Sequence, residues 1–222
     1  MDHRRLPAAV LAAAGDRQGG AAEVAARAAD GLLEVAGDPP LLEEAVAVLL
    51  AGQPAMAPIW HLARAARAPD PAAALADLRR RLDTDADAAV AAATAWLLRH
   101  LADHPGQVAT VSHSSLVDRV LAQVDPAGPT GPGPVVAVVG ADAVGPGAIL
   151  NAAGTRELAA RLPALVVATA IKLVPGAVFG RLAGPGFEVV PLEGLAAVVV
   201  GGEVLSPAEA GRRAEAVSGS RP

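Results

Sequence analysis

Apolar residues recur at helical spacing through the first hundred positions of this chain, then give way to short continuous runs. Residues 22–36, AEVAARAADGLLEVA, carry the three-to-four residue repeat of an amphipathic helix, and Asp38-Pro39-Pro40 breaks it. Residues 41–51 predict a second helix, closed by Gly52-Gln53-Pro54. Pro58 suits the first turn of a third, PIWHLARAARA, because its missing N–H would find no partner there in any case. Asp70-Pro71 starts a fourth, ALADLRRRL, and residues 85–103 predict a longer fifth helix containing Trp96, Leu97, Leu98 and Leu101.

From Gln107 the texture changes. VATVS (108–112) predicts a strand and SLVDRVLAQV a helix. VVAVV (135–139) predicts a buried parallel strand, and ALVVATA (164–170) another. Between them, Asn151 stands where an N-cap would stand and predicts a helix over 151–162. FEVVP and AAVVVGGEVL read as further strands, the second with a hairpin turn at Gly201-Gly202, and SPAEAGRRAEAV closes as a capped, charged helix. Helices followed by alternating strands and helices predict an α/β protein: a helical N-terminal domain over 1–103, then a Rossmann-like domain with a parallel sheet over 104–222. A Pro/Gly linker, DPAGPTGPGP, joins the first βα unit to the second strand.

Composition narrows the function more than the fold. The 222 residues carry a formal charge of -5, so no basic field recruits nucleic acid or an anionic membrane. No apolar run reaches the roughly 18 residues of a membrane span. The basic, alanine-rich start reads as a helix of the protein itself rather than a signal peptide, and a cytoplasmic location is expected. Zero cysteines exclude a disulfide framework and thiolate chemistry. Lys172 is the only lysine and Asn151 the only asparagine.

Candidate chemistry gathers at predicted strand ends. Asp142 falls just beyond the strand 135–139, at the edge where open α/β sheets collect ligands; it could equally cap nearby amides. Ser112, Ser114 and Ser115 lie at a strand-to-helix turn, where capping competes with ligand contact. His100 and His104 are four residues apart with no third ligand in view, and residues 140–147 lack a nucleotide-binding glycine order, so neither metal nor cofactor is expected.

Taken together, GADAVGPGAILNAAGT, TVSHSSLVDRVL, GDRQGGAAEVAARAA and GQPAMAPIWHLARA resemble the family of translation initiation factor 2B regulatory subunits. That family also includes the isomerases of methylthioribose-1-phosphate and ribose-1,5-bisphosphate. The resemblance implies a sheet with fewer strands than the family's, since the linker replaces a segment carrying an E-S-R-P motif. It places Asp142 at the isomerases' acid and Ser112 at their catalytic cysteine. It also puts Gly20, Ala21, Gln53, Ser114, Asn151 and Lys172 among ligand-binding positions. Gly19 and Gln53 stand where the isomerases have arginines, and Ala152 where they have a lysine. Serine is a poor substitute for a thiolate, and glutamine cannot pair a phosphate as arginine does. The expected function is therefore a factor-2B-like, non-catalytic module for a small polar or monophosphorylated metabolite, working as a homodimer. The alternatives are a working sugar-phosphate isomerase using Asp142, or a translation-factor regulatory subunit.

Overall fold

The computed structural model describes residues 5–111, 114–124 and 133–217. Five helices come first: α1 (Ala8–Gly15), α2 (Ala21–Glu34), α3 (Pro39–Gly52), α4 (Ala57–Ala66) and α5 (Pro71–Asp103). The residues read as two helices, from Asp70 and over 85–103, form one 33-residue helix, α5. Its middle, Asp83-Thr84-Asp85, is polar but holds neither glycine nor proline, so nothing there breaks the backbone ladder. Asp70 caps the start, accepting from the backbone N–H of Ala73. Helix α5 serves two cores. Leu75 and Leu82 pack with Leu32, Leu49, Ile59 and Leu62 of the helical front half, whereas Ala89, Val90, Ala93 and Leu97 pack against the sheet.

The sheet is built from β1 (Gln107–Ala109), β2 (Pro134–Val139), β5 (Ala164–Ala168), β7 (Ala197–Val200) and β8 (Glu203–Leu205), in the order β1-β2-β5-β7-β8. The first four run parallel, and β8 folds back antiparallel across the Gly201-Gly202 turn. The period of two along a strand sorts the side chains to two faces. Val136, Val138, Leu165, Val167, Ala197 and Val199 meet α5 and α6 (Ser115–Val124). Ala137, Val139, Val166, Ala168, Val198 and Val200 face the other way, toward α9 (Pro207–Ala216), which follows the short helix α8 (Gly176–Phe179). Burial on both faces explains why these strands read as unbroken apolar runs.

A second, three-stranded antiparallel sheet lies over the carboxyl ends of this one: β3 (Ala143–Val144), β4 (Ala148–Ala152) and β6 (Phe187–Pro191), in the order β3-β4-β6. This corrects the reading of 151–162 as a helix opened by Asn151. Asn151 is paired with Glu188 inside a ladder, so the backbone stays extended through Ala152. The helix begins only at α7 (Thr155–Arg161), after Gly154 turns the chain with φ of 95°, a conformation other residues rarely adopt. Strand β1 is also shorter than the predicted 108–112, and Ser112 lies outside the described residues.

Candidate functional site

Two loops at the carboxyl ends of the parallel strands are tied together by backbone. After β2, Gly140 and Ala141 lead to Asp142, which hands directly into β3. After β5, the chain makes a 3-10 turn, Ala170–Lys172, and Leu173 then bridges to Val144 of β3, while the N–H of Val174 donates to the Val144 carbonyl at 2.9 Å. From the helical side, the ring Nε2 of His61 on α4 meets the Leu173 carbonyl at 2.8 Å. The N–H of Ala57, the first residue of α4, donates to the Asp142 carbonyl at 3.1 Å. Asp142 and Lys172 are thus pinned side by side from both halves of the molecule.

They open onto a cleft of about 360 Å³. Of the positions singled out in the sequence, the structure brings Gly20, Ala21, Gln53, Ser114, Asp142, Asn151 and Lys172 to its walls. Lys172 is 3% exposed, and its amine makes no hydrogen bond or ion pair with any described residue. The Asp142 carboxylate likewise has no hydrogen-bond partner among them. Burial pushes the Asp142 carboxyl above its ordinary value, and the charge of Lys172 only partly opposes this. Burial also lowers the Lys172 amine, with Asp142 pulling the other way. Desolvation outweighs mutual attraction for both groups, raising the acid and lowering the amine.

Helix N-termini supply the rest of the polarity. Gly20 precedes α2, which has no side-chain cap, and a side chain at Gly20 would sit 3.7 Å from the N and Oγ of Ser115, the first residue of α6. The starts of α2 and α6 therefore abut at the cleft and bring the positive ends of two helix dipoles to it. Asn151 has a different task from the capping role. Its Nδ2 donates to Thr155 Oγ1 at 2.9 Å, and that hydroxyl donates to the Ala152 carbonyl at 2.6 Å.

Gln53 shows what can replace an arginine. Its Nε2 donates to the carbonyls of Ala13 at 2.8 Å and Asp16 at 2.6 Å, gathering the orphan acceptors at the end of α1. Its amide nitrogen is thus committed to backbone before any ligand arrives. Arg17 also lines the cleft, with one guanidinium nitrogen held by the carbonyls of Ala14 and Asp16.

Two contributors escaped sequence reading. Asp16 lines the cleft and organises its glycine turn, accepting from the N–H groups of Gln18 and Gly19 through Oδ1 and from Arg27 through Oδ2. The Asp-x-x-Gly spacing was the available signal. The Gly19 amide, then that of Gln18 and the Arg27 guanidinium, hold the Asp16 carboxyl down at about 2. His61, within the apolar-periodic helix read from Pro58, carries no spacing signal of its own. Burial pushes its ring down to about 4, against the raising effect of the Leu173 carbonyl, so it is a neutral donor at neutral pH. Among the described residues, no group of three or more metal-ligating side chains is assembled.

No protein-family model matches the chain, and no curated protein matches it significantly. Solved structures do. Translation initiation factor eIF-2B from Pyrococcus horikoshii OT3 aligns with a TM-score of 0.69 over 90% of this chain and 96% of its own, at 18% identity. The fold is that of the initiation factor 2B subunits. A chain of the tetrameric eIF2B-β2-δ2 complex from C. thermophilum aligns with a TM-score of 0.69 over 92% of this chain and 91% of its own, at 13% identity. The 5-methylthioribose 1-phosphate isomerase from Pyrococcus horikoshii OT3 aligns with a TM-score of 0.52 over 95% of this chain and 87% of its own, at 15% identity. At these identities the likeness carries the initiation factor 2B fold, which hosts both a translation factor and an isomerase, and activity has to be argued from the cleft. No helix among the described residues is long and apolar enough to cross a membrane.

Proposed function

We propose that the chain is a ligand-binding module for a small monophosphorylated sugar or similar polar monoester, held in the cleft between the helical half and the strand ends. One observation carries this reading: the only lysine of the protein is buried there without a hydrogen-bond partner among the described residues. The Lys172 amine is not among the fully enclosed unpartnered polar atoms of the described residues, so it reaches the cleft it lines. A phosphate oxygen at Lys172, with its other oxygens on the N–H groups opening α2 and α6, supplies a charge-assisted partner. The anion also favours the charged form of the amine. A second phosphate meets a poorer partner, because Gln53 is spent on carbonyls, Gly19 offers no side chain, and Arg17 is exposed and partly held by backbone carbonyls.

Non-catalytic binding is supported by the absence of any cysteine, which removes the thiol expected of the isomerases. A second reading rests on Asp142. A carboxyl raised by burial beside a sugar phosphate could act as a general acid in an aldose–ketose conversion. By the same resemblance, the working unit is proposed to be a homodimer of the 22.0 kDa chain.

Calorimetric titration with ribose 5-phosphate and ribose 1,5-bisphosphate tests the binding reading. Ribose 5-phosphate should bind, the bisphosphate no more tightly, and Lys172→Met should weaken binding by about 10- to 100-fold, the worth of one charge-assisted contact. Unchanged affinity in Lys172→Met overturns the assignment. Turnover of ribose-1,5-bisphosphate or methylthioribose-1-phosphate that disappears in Asp142→Asn would establish the isomerase instead.

A further inference from the structure

Beside the polar cleft lies a second pocket of about 250 Å³, lined by Leu50, Met56, Trp60, Val178, Leu182 and Arg181, with Gln53 and Met56 forming a wall common to both. Its chemistry is the reverse of its neighbour's. Apolar and aromatic surface dominates, and Arg181 is the only charged residue on its lining. Arg181 is exposed, and its guanidinium makes no hydrogen bond or ion pair with any described residue. Arg27, Arg67, Arg79, Arg119 and Arg213 each sit against a carboxylate, whereas the guanidinium groups of Arg99, Arg156 and Arg212, like that of Arg181, have no such partner among the described residues; Arg181 is the one on the lining of this pocket.

We propose that this pocket is a second small-molecule site, for an apolar monocarboxylate whose hydrocarbon body packs on Trp60, Leu50 and Leu182 and whose carboxylate pairs with Arg181. A guanidinium offers two parallel N–H donors matched to one carboxylate, and a concave apolar wall with one polar anchor is the usual composition of a small-ligand site. A phosphate dianion suits it poorly, because one arginine leaves half its charge against hydrocarbon. This site stands apart from the phosphate reading of the cleft and does not require it.

Hexanoate is a suitable probe, with 1-hexanol and hexylammonium as matched neutral and cationic controls, titrated into the full chain by calorimetry. A Trp96→Phe background leaves Trp60 as the only tryptophan, so its emission locates the probe. Hexanoate is expected to bind saturably in the millimolar range with a change in Trp60 emission. Both controls, and hexanoate with Arg181→Gln, should bind at least about tenfold more weakly. Lys172→Met should leave hexanoate affinity unchanged while weakening ribose 5-phosphate binding by the same roughly 10- to 100-fold, which keeps the two sites distinguishable. Equal binding of hexanol, indifference to Arg181→Gln, no saturable binding of hexanoate, or loss of hexanoate binding in Lys172→Met would each overturn the proposal.

Discussion

Two aspartates face the same cleft and live in opposite circumstances. Asp16, after α1, accepts two backbone N–H groups and an arginine, and its carboxyl is held down at about 2. Asp142, after β2, has no partner for its carboxylate among the described residues, and burial raises it. The first is an aspartate whose charge is used up in building the wall. The second is poised, since its preferred state depends on what enters the cleft. Both residue type and proximity to the cleft are the same, so only the partner count separates framework from candidate chemistry.

The largest effect expected from breaking this contrast is on stability. Asp16→Ala removes the acceptor for Gln18 and Gly19 and the counter-charge of Arg27, and should cost about 2 kcal/mol in denaturant unfolding near neutral pH. A variant as stable as the parent would show that the turn forms without the carboxylate. Asp142→Asn should cost nothing, or stabilise by up to about 1 kcal/mol, because it replaces an unpaired acid by an uncharged isostere.

The pH dependence of stability gives the next contrast, and the signs are opposite. Asp16 has a folded value below its unfolded 3.8, so its contribution is present above 3.8 and is lost as pH falls toward about 2. Asp142 has a folded value above 3.8, so its contribution is complete below 3.8 and is lost as pH rises through that folded value. His61 adds an acid-side loss between its unfolded 6.5 and its folded value of about 4. Comparing the parent with Asp142→Asn and Asp16→Asn across pH 2 to 7, on the order of the windows just named, should yield difference curves of opposite slope. Parallel curves would mean that the two carboxyls share one environment.

The same contrast explains what could be seen without a structure. Asp142 was legible because a strand of β-branched residues ends just before it, and topology places such ends at ligand sites. The parallel strands were legible for the same reason: Val135 to Val139 admits few other conformations once both faces are buried. Asp16 was hidden because its importance lies in hydrogen bonds to Gln18 and Gly19, a local turn embedded between two helices of similar alanine-rich texture. Asn151 was misplaced because asparagine followed by Ala-Ala-Gly-Thr fits a helix start, while its ladder partner, Glu188, lies 37 positions along the chain. Tertiary pairing overrode local preference there. Gln53 was placed at the cleft, but its commitment to the carbonyls of α1 depends on a long-range contact that no spacing reveals.

The smallest destabilisation expected is at Gly140, which lets the Asp142 loop approach the start of α6. A methyl group there would lie 3.0 Å from the Oγ and 3.1 Å from the Cβ of Ser114. The hydroxyl can rotate away, whereas the Cβ must shift with its backbone by a few tenths of an ångström. Gly140→Ala should therefore cost less than about 1 kcal/mol of stability, on the scale of a mild overpacking. Its larger signature should appear in ribose 5-phosphate binding, because Ser114 and Gly140 both line the cleft. A double-mutant cycle with Ser114→Ala separates the two contacts. If the hydroxyl carries the crowding, the double variant recovers the stability lost by Gly140→Ala. If the Cβ carries it, Ser114→Ala recovers none, and the start of α6 is shown to be held as rigidly against the Asp142 loop as the glycine turn is held by Asp16.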